Sequence, residues 1–391
     1  MLNGPFSPWP SYTQEEADAA SQVLLSNRVN YWTGKECREF EREFAEFAGT
    51  NHAIAVANGT VALDLALKAL GIGPGDEVIV TSRTFLASVT CIVNAGAWPV
   101  FADVDTDSQG ISAETVASLI NDNTKAVIAV HLAGWPCDMD SLNDLACRHG
   151  LSVIEDCAQA HGATYKGQPV GSLGHVAAWS FCQDKIMTTG GEGGMVTTND
   201  RELWSRMWSY KDHGKRWEAV YEREHPPGFR WLHESFGTNW RMTEIQAAIG
   251  RIQLRRMPDW AERRRANCGA IWQAARECKG LRVPDVPEHI GHAGYKCYVF
   301  VEPTTLKPGW DRNRVMSEIV SAGVPCFSGS CSEVYFEKAI QDAGMAPAER
   351  LPVARELGDT SLMFLVHPTL TAEEIRLTCD VLARVMKEAT A

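Results

Sequence analysis

The chain has 391 residues, 45% of them hydrophobic and 22% charged, with a formal net charge of -12. This is ordinary globular composition, and the length suggests two or three domains. So acidic a balance lacks the basic footprint of non-specific nucleic-acid binding, yet local cations and helix N-termini can still hold a phosphorylated ligand. The twelve cysteines are scattered and include no CxxC pair. They read as reduced thiols of a cytoplasmic protein rather than a zinc cluster or disulfide framework. Neither a leader pattern nor an apolar run long enough to cross a bilayer is present, so no membrane association is expected.

In chain order, Pro5, Pro8 and Pro10 delay regular structure, and Thr13 then caps a short helix starting near Gln14. Phe40, Phe44 and Phe47 recur at helical spacing. Strands are expected at 53–57, 77–81, 98–102, 126–130 and 152–155, with helices at 60–70, 86–95, 113–120 and 139–149. Short apolar runs alternating with helices argue for a largely parallel sheet covered on both faces. Further strands at 176–181 and 195–198 bracket a glycine-rich stretch, 188–194. Residues 214–237, which carry Pro226-Pro227, have little periodicity and read as a surface excursion.

Within 243–255, Ile245, Ala248, Ile249 and Ile252 form one helical stripe. Pro258 stands at a possible new helix start, and Arg263, Arg264 and Arg265 beyond it read as a solvated face. A strand at 296–301, a helix at 312–321 and a terminal helix at 371–387 with a Thr371/Glu374 capping box follow. The boundary between a large and a smaller C-terminal domain is expected near 250–275.

Neither GxGxxG nor GxxxxGK[ST] follows an early strand. Instead Ala57-Asn58-Gly59-Thr60 joins a strand to a helix, where the amides of Thr60 and Val61 could receive a phosphate. Alone, Thr60 reads more simply as a helix cap. Asp156 ends a strand, where ligands gather in open sheets and a carboxylate can anchor a protonated ring nitrogen. A cap or turn is its structural alternative. Phe85 could cover one face of a planar ring or serve the core. Lys185 alone would be surface charge; partly desolvated, it would offer a neutral amine to a carbonyl.

The string Glu155-Asp156-Cys157-Ala158-Gln159-Ala160-His161-Gly162, then Ser180, Lys185 and Gly190-Gly191-Glu192-Gly193-Gly194, resembles the DegT/DnrJ/EryC1/StrS sugar aminotransferases. Ala57-Asn58-Gly59-Thr60, Gly73-Pro74-Gly75-Asp76-Glu77 and Gly237-Thr238-Asn239-Trp240-Arg241-Met242 match the same family in the same order. The resemblance implies fold type I of the pyridoxal-phosphate (PLP) enzymes: a three-layer αβα large domain with a mostly parallel mixed sheet, and a smaller α+β C-terminal domain. The expected divisions are an N-terminal arm and short helix (1–34), a PLP-binding domain (35–257) and a small domain (258–391).

By the same resemblance, Lys185 would hold the cofactor as an imine and shuttle a proton, passing through the pyridoxamine phosphate form. Asp156 would bond the pyridine nitrogen, Gln159 would lie near the phenolic oxygen, and Phe85 would stack on the ring. Gly59, Thr60 and Ser180 would bind the phosphate, with Asn239 reaching it from the partner subunit of a homodimer. The substrates would be glutamate and a nucleotide-linked 3-keto or 4-keto deoxy sugar, giving an amino sugar for a lipopolysaccharide, a glycan or an antibiotic. Family members that replace the lysine by histidine dehydrate keto sugars; Lys185 favours amino transfer. Rival readings are such a dehydration, amination of a non-nucleotide sugar, and a non-catalytic regulatory protein. The family's aromatic–Pro–x–His stretch is absent where Phe327-Ser328-Gly329-Ser330-Cys331-Ser332-Glu333 stands. Candidate substrate contacts are Arg241, Lys215, Arg28, Lys35 and Glu333, with Gly329 and Cys331 near the same pocket.

Overall fold

The computed structural model describes residues 5–390. Seven strands form the large sheet: β1 His52–Val56, β2 Glu77–Thr81, β3 Trp98–Ala102, β4 Thr124–Val130, β5 Ser152–Asp156, β6 Val176–Ser180 and β7 Gly194–Thr198. Their spatial order is β1-β7-β6-β5-β4-β2-β3. The strands from β6 to β3 run parallel, while β7 is antiparallel to both β1 and β6. The sheet is therefore mixed and mostly parallel, as expected.

Successive side chains of a strand face opposite layers. Ile54 and Val56 join Val78, Val80, Ile128 and Ile154 in one core layer, beneath α3 (Gly59–Ala69) and α4 (Ala87–Asn94). Ala53 and Ala55 pack with Trp179 and Met195 in the other layer, against α2 (Glu36–Ala48). In α2, Phe40 and Phe44 are fully buried one turn apart, each contributing about 1.5–3 kcal/mol of apolar burial. α1 (Gln14–Leu25) begins at Thr13, whose amide donates to Glu16 at 2.9 Å.

A single helix, α6 (Glu244–Arg276), runs from the large sheet into the C-terminal region; α5 is Met139–His149. It corrects the reading of Pro258 as a helix start: Pro258 lies inside α6. An interior proline costs about 3 kcal/mol, but Ile252, Met257, Trp260, Cys268 and Ile271 keep one buried stripe across it. The boundary expected at 257/258 thus falls within a continuous helix.

The C-terminal sheet holds β8 (Leu281–Arg282), β9 (Cys297–Val301), β10 (Cys326–Phe327) and β11 (Ser361–Phe364) in the order β8-β9-β11-β10. It packs on α6 and on α7 (Ala372–Ala389), whose capping box is the expected Thr371/Glu374 pair. The excursion at 214–237 carries one short helix, Trp217–Tyr221, and exposes Phe229, Trp231 and Phe236. Among the described residues, no helix is long and apolar enough to cross a membrane.

Candidate active site

The strand ends of the large sheet and the start of β9 enclose a cavity of about 1020 Å³. The link from β1 to α3 forms one corner. Asn58, not Thr60, caps α3: its side chain accepts from the Val61 amide at 3.0 Å. That corrects both the capping reading of Thr60 and the assignment of the Val61 amide to a phosphate. The amides of Gly59 and Thr60 belong to the first helical positions, which have no intrahelical acceptor, and both residues line the cavity. Ser180, at the end of β6, lines it beside them.

This corner requires glycine. A Cβ on Gly59 would lie 2.6 Å from Ser180 Cβ, and one on Gly194 would lie 2.3 Å from the Asn58 carbonyl oxygen. The glycine-rich stretch therefore lets β7 pass directly behind the α3 N-terminus, which is a ready anion cradle.

Asp156 and Glu155 are consecutive on β5, so their side chains diverge. Glu155 is fully buried, accepting from the amides of Gly171, Leu173 and Gly174 and pairing with His131 at 2.9 Å. With every oxygen engaged, this carboxylate and its neighbours His131 and Cys157 brace the strand end. Asp156 faces the cavity instead. It accepts from the Ser88 hydroxyl at 2.8 Å and the Ala158 amide at 3.1 Å, is 5% exposed, and is paired with no cation among the described residues. A buried carboxylate without a counter-cation is costly, and a protonated ring nitrogen is the partner it lacks.

Gln159 follows within one turn. Its Oε1 accepts from the Ala133 amide at 2.8 Å, leaving the Nε2 end as the donor toward the cavity. Phe85, 69% exposed, lies in the turn two residues before α4. It lines the same cavity. Lys185 is half-buried in the loop after β6, and its carbonyl accepts from the Trp9 indole at 2.9 Å. Burial pushes the neighbouring Asp184 carboxyl up, but the Lys185 charge and the Tyr295 hydroxyl outweigh this and hold it below the usual range.

Gly59, Thr60, Phe85, Asp156, Gln159, Ser180 and Lys185 thus meet at one cavity. Amide donors for a phosphate, a carboxylate for a ring nitrogen, a donor for a phenolic oxygen and an amine for an aldehyde fit PLP group by group.

The remaining candidates lie elsewhere. Asn239 is exposed and does not line this cavity. Arg241 Nη1 donates to Asp212 at 2.6 Å, while Lys215 sits 3.4 Å from Asp212 and over the Trp32 ring at 4.3 Å. Arg28 and Lys35 line a separate cavity between α1 and α6. Glu333 turns away to a bidentate pair with Arg350, at 3.0 and 2.6 Å, and to the Tyr335 hydroxyl. Gly329 and Cys331 do line the site.

Sequence reasoning missed three side chains. Ser88, which holds Asp156, lies one helical turn after Phe85, a spacing that offered a signal. Lys296 immediately precedes β9 and lines the cavity. Arg264 corrects the reading of a solvated arginine face: Arg263 and Arg265 are exposed, but Arg264 is buried and also lines the cavity.

Residues 10–383 match the model of the DegT/DnrJ/EryC1/StrS aminotransferase family. The chain belongs to this family. It is 34% identical over 378 residues to the GDP-perosamine synthase of Escherichia coli O157:H7, covering 95% of each chain. To the dTDP-3-amino-3,6-dideoxy-alpha-D-galactopyranose transaminase of Aneurinibacillus thermoaerophilus it is 42% identical over 375 residues, 95% of this chain and 96% of that one. The crystal structure of an aminotransferase from Psychrobacter cryohalolentis superposes with a TM-score of 0.97 at 62% identity, covering 98% of this chain and 100% of that one. The fold is that of these family members: a mostly parallel mixed sheet in an αβα sandwich with a smaller α+β region.

Proposed function

We propose that this protein is a PLP-dependent aminotransferase that moves an amino group from glutamate to a nucleotide-linked 3-keto or 4-keto deoxy sugar. The observation that carries the reading is the convergence of Lys185 and the unpaired, buried Asp156 on one cavity with the α3 N-terminus. Relatives named for GDP-linked and dTDP-linked amino sugars support the substrate class.

When bound, PLP supplies an electron sink for the charge that develops at a carbon losing its proton. The chain's own residues do the rest. Asp156, oriented by Ser88 and the Ala158 amide, keeps a proton on the ring nitrogen. Gln159 Nε2 would donate to the phenolic oxygen, its far end fixed by Ala133. The amides of Gly59 and Thr60 and the Ser180 hydroxyl would hold the phosphate, and Phe85 would cover the ring. Lys185 Nζ would take the proton from the donor α-carbon and, in the second half of the reaction, deliver one to the sugar carbon that becomes aminated. Such positioned proton transfer contributes roughly 10²- to 10⁴-fold.

We further place Asn239 of the partner subunit against the phosphate in a homodimer. Its exposure away from this chain's own cavity, next to an excursion that exposes Phe229, Trp231 and Phe236, supports that arrangement. Twelve unpaired cysteines support a reducing, cytoplasmic setting.

The test is spectroscopic and then preparative. Protein loaded with PLP should be yellow, lose the band with glutamate, and after borohydride carry the cofactor on the Lys185 peptide. A panel of nucleotide-linked keto sugars then identifies the product by regiochemistry. Protein that stays colourless with PLP would sink the proposal.

A further inference from the structure

Arg264 is 1% exposed. Its Nη1 donates to the carbonyls of Gly294 and Tyr295 at 3.3 and 3.5 Å. Its Nε and Nη2 find no acceptor among the described residues, and no carboxylate pairs with it there. The Trp9 ring lies 4.9 Å from the guanidinium carbon, and the Nε–Nη2 edge is left buried without an acceptor. That edge is a planar fork suited to receiving a carboxylate through two parallel hydrogen bonds. Leaving it empty in a buried site is costly.

A second cation stands beside it. Lys296 Nζ lies 4.9 Å from the centroid of the Tyr295 ring, and Lys185 Nζ lies 5.3 Å from the same ring. All three cations line the one cavity. The carboxylate facing them, Asp184, already accepts from the Tyr295 hydroxyl at 2.6 Å. Burial pushes Lys296 down to about 8, with Arg264 and Lys185 adding to the fall and Asp184 opposing it. Burial also lowers Arg264, to about 10. The wall is short of negative charge at the place where Lys185 works.

We infer that Arg264, assisted by Lys296, binds the α-carboxylate of the amino donor. The inference rests on the aminotransferase reading and names the subsite that its first substrate uses. In an α-amino acid the carboxylate and the amine share one carbon, and that amine must replace Lys185 Nζ. Its carboxylate site therefore has to adjoin Lys185. A nucleoside diphosphate is held away from the reacting carbonyl by the sugar ring and belongs farther out, where its phosphates keep part of their water. A dry fork with one lysine beside it matches a single small carboxylate.

The experiment uses PLP-loaded wild type, R264Q, R264K and K296M. 2-Oxoglutarate does not react with the lysine-linked form, so calorimetric titration with it reads the subsite without turnover. Its affinity should fall on the order of 10²-fold in R264Q, less in R264K, and about tenfold in K296M. Affinity for GDP should stay within about twofold, and the visible band and melting temperature should be retained. In single turnover the glutamate half-reaction should show the same loss, recovered at high glutamate, while the keto-sugar half-reaction keeps its rate. Unchanged 2-oxoglutarate affinity in R264Q, or a loss confined to GDP, would overturn the assignment. Should R264Q fail to fold, R264K and K296M carry the test through the same titrations. A wild type that forms no visible band would remove the aminotransferase reading itself, a result separate from any shift in 2-oxoglutarate affinity.

Discussion

The wall at the ends of β1, β5 and β6 and the wall made by α6 and the start of β9 face one cavity but differ in how their polar groups are satisfied. In the first, three polar groups are held from behind by the protein: Asp156 by Ser88 and Ala158, Gln159 by Ala133, and Ser180 Oγ accepts from the Cys182 amide at 3.3 Å. In the second, Arg264 and Lys296 crowd together around Tyr295, and two Arg264 donors have no acceptor among the described residues. A wall whose groups are held in place from behind suits an occupant that stays through the catalytic cycle, since its groups must not reorganise between turns. An under-satisfied cationic wall suits an occupant that comes and goes, because its desolvation cost is offset only while the anion is present.

Substitutions in the first wall test that contrast, and the largest effect belongs to Lys185. K185A should abolish borohydride-trapped cofactor and lower amino transfer by roughly 10⁴-fold or more, since it removes both the covalent link and the proton carrier. Mass spectrometry of the trapped peptide and turnover assays read the two losses separately. Retention of a tenth of the activity would show that another base serves this wall. D156N comes next. Asparagine can still accept from Ser88 or Ala158, so the fold and the visible band should survive while kcat falls about 10²- to 10³-fold. G59A acts by volume alone: its methyl would sit 2.6 Å from Ser180 Cβ. Overpacking of this kind costs about 1–3 kcal/mol, and equilibrium dialysis should find PLP bound about tenfold more weakly.

The two walls also differed in how far the sequence disclosed them. Asp156, Gln159, Ser180 and Lys185 sit on short strand-end turns in one stretch of chain, so a compact string carries most of the first wall. Its errors were local: Asn58 rather than Thr60 caps α3, because Asn58 stands just outside the helix and accepts from the Val61 amide while Thr60 already lies inside it. Arg264 was illegible for a geometric reason. Consecutive helical residues point about 100° apart, so Arg263, Arg264 and Arg265 span about 200° of the helix surface and could all have faced solvent. That Arg264 turns inward is decided by Gly294, Tyr295 and Trp9, all distant in sequence. Arg241 and Lys215 were misread because both are engaged by the buried Asp212, three residues from Lys215 but distant in sequence from Arg241. Glu333 was assigned to the pocket because its partner Arg350 lies across an intervening helix.

The smallest effect tests the second wall by pH. Lys296 titrates at about 8, below the ordinary lysine value, chiefly through burial. Protonated below that pH, it supports a bound carboxylate; neutral above it, it does not. The groups facing it leave this interval clear. Asp184 is held below the usual carboxylate range, and His367 is pushed down to about 3, first by burial. Tyr295 is pushed well above the ordinary phenol range, first by burial and then by Asp184, while Arg264 titrates at about 10. In the loaded protein Lys185 is linked to the cofactor. Affinity for 2-oxoglutarate should therefore fall up to about tenfold as pH rises through that value, and K296M should start weaker and stay flat. Stability runs the other way. Above the folded value and up to the unfolded lysine value of about 10.4, the unfolded chain binds more protons at this residue, so unfolding free energy rises with pH. K296M should lose that slope in urea melts as well. A K296M affinity profile as steep as that of wild type would assign the response to another group and leave Arg264 to hold the carboxylate alone.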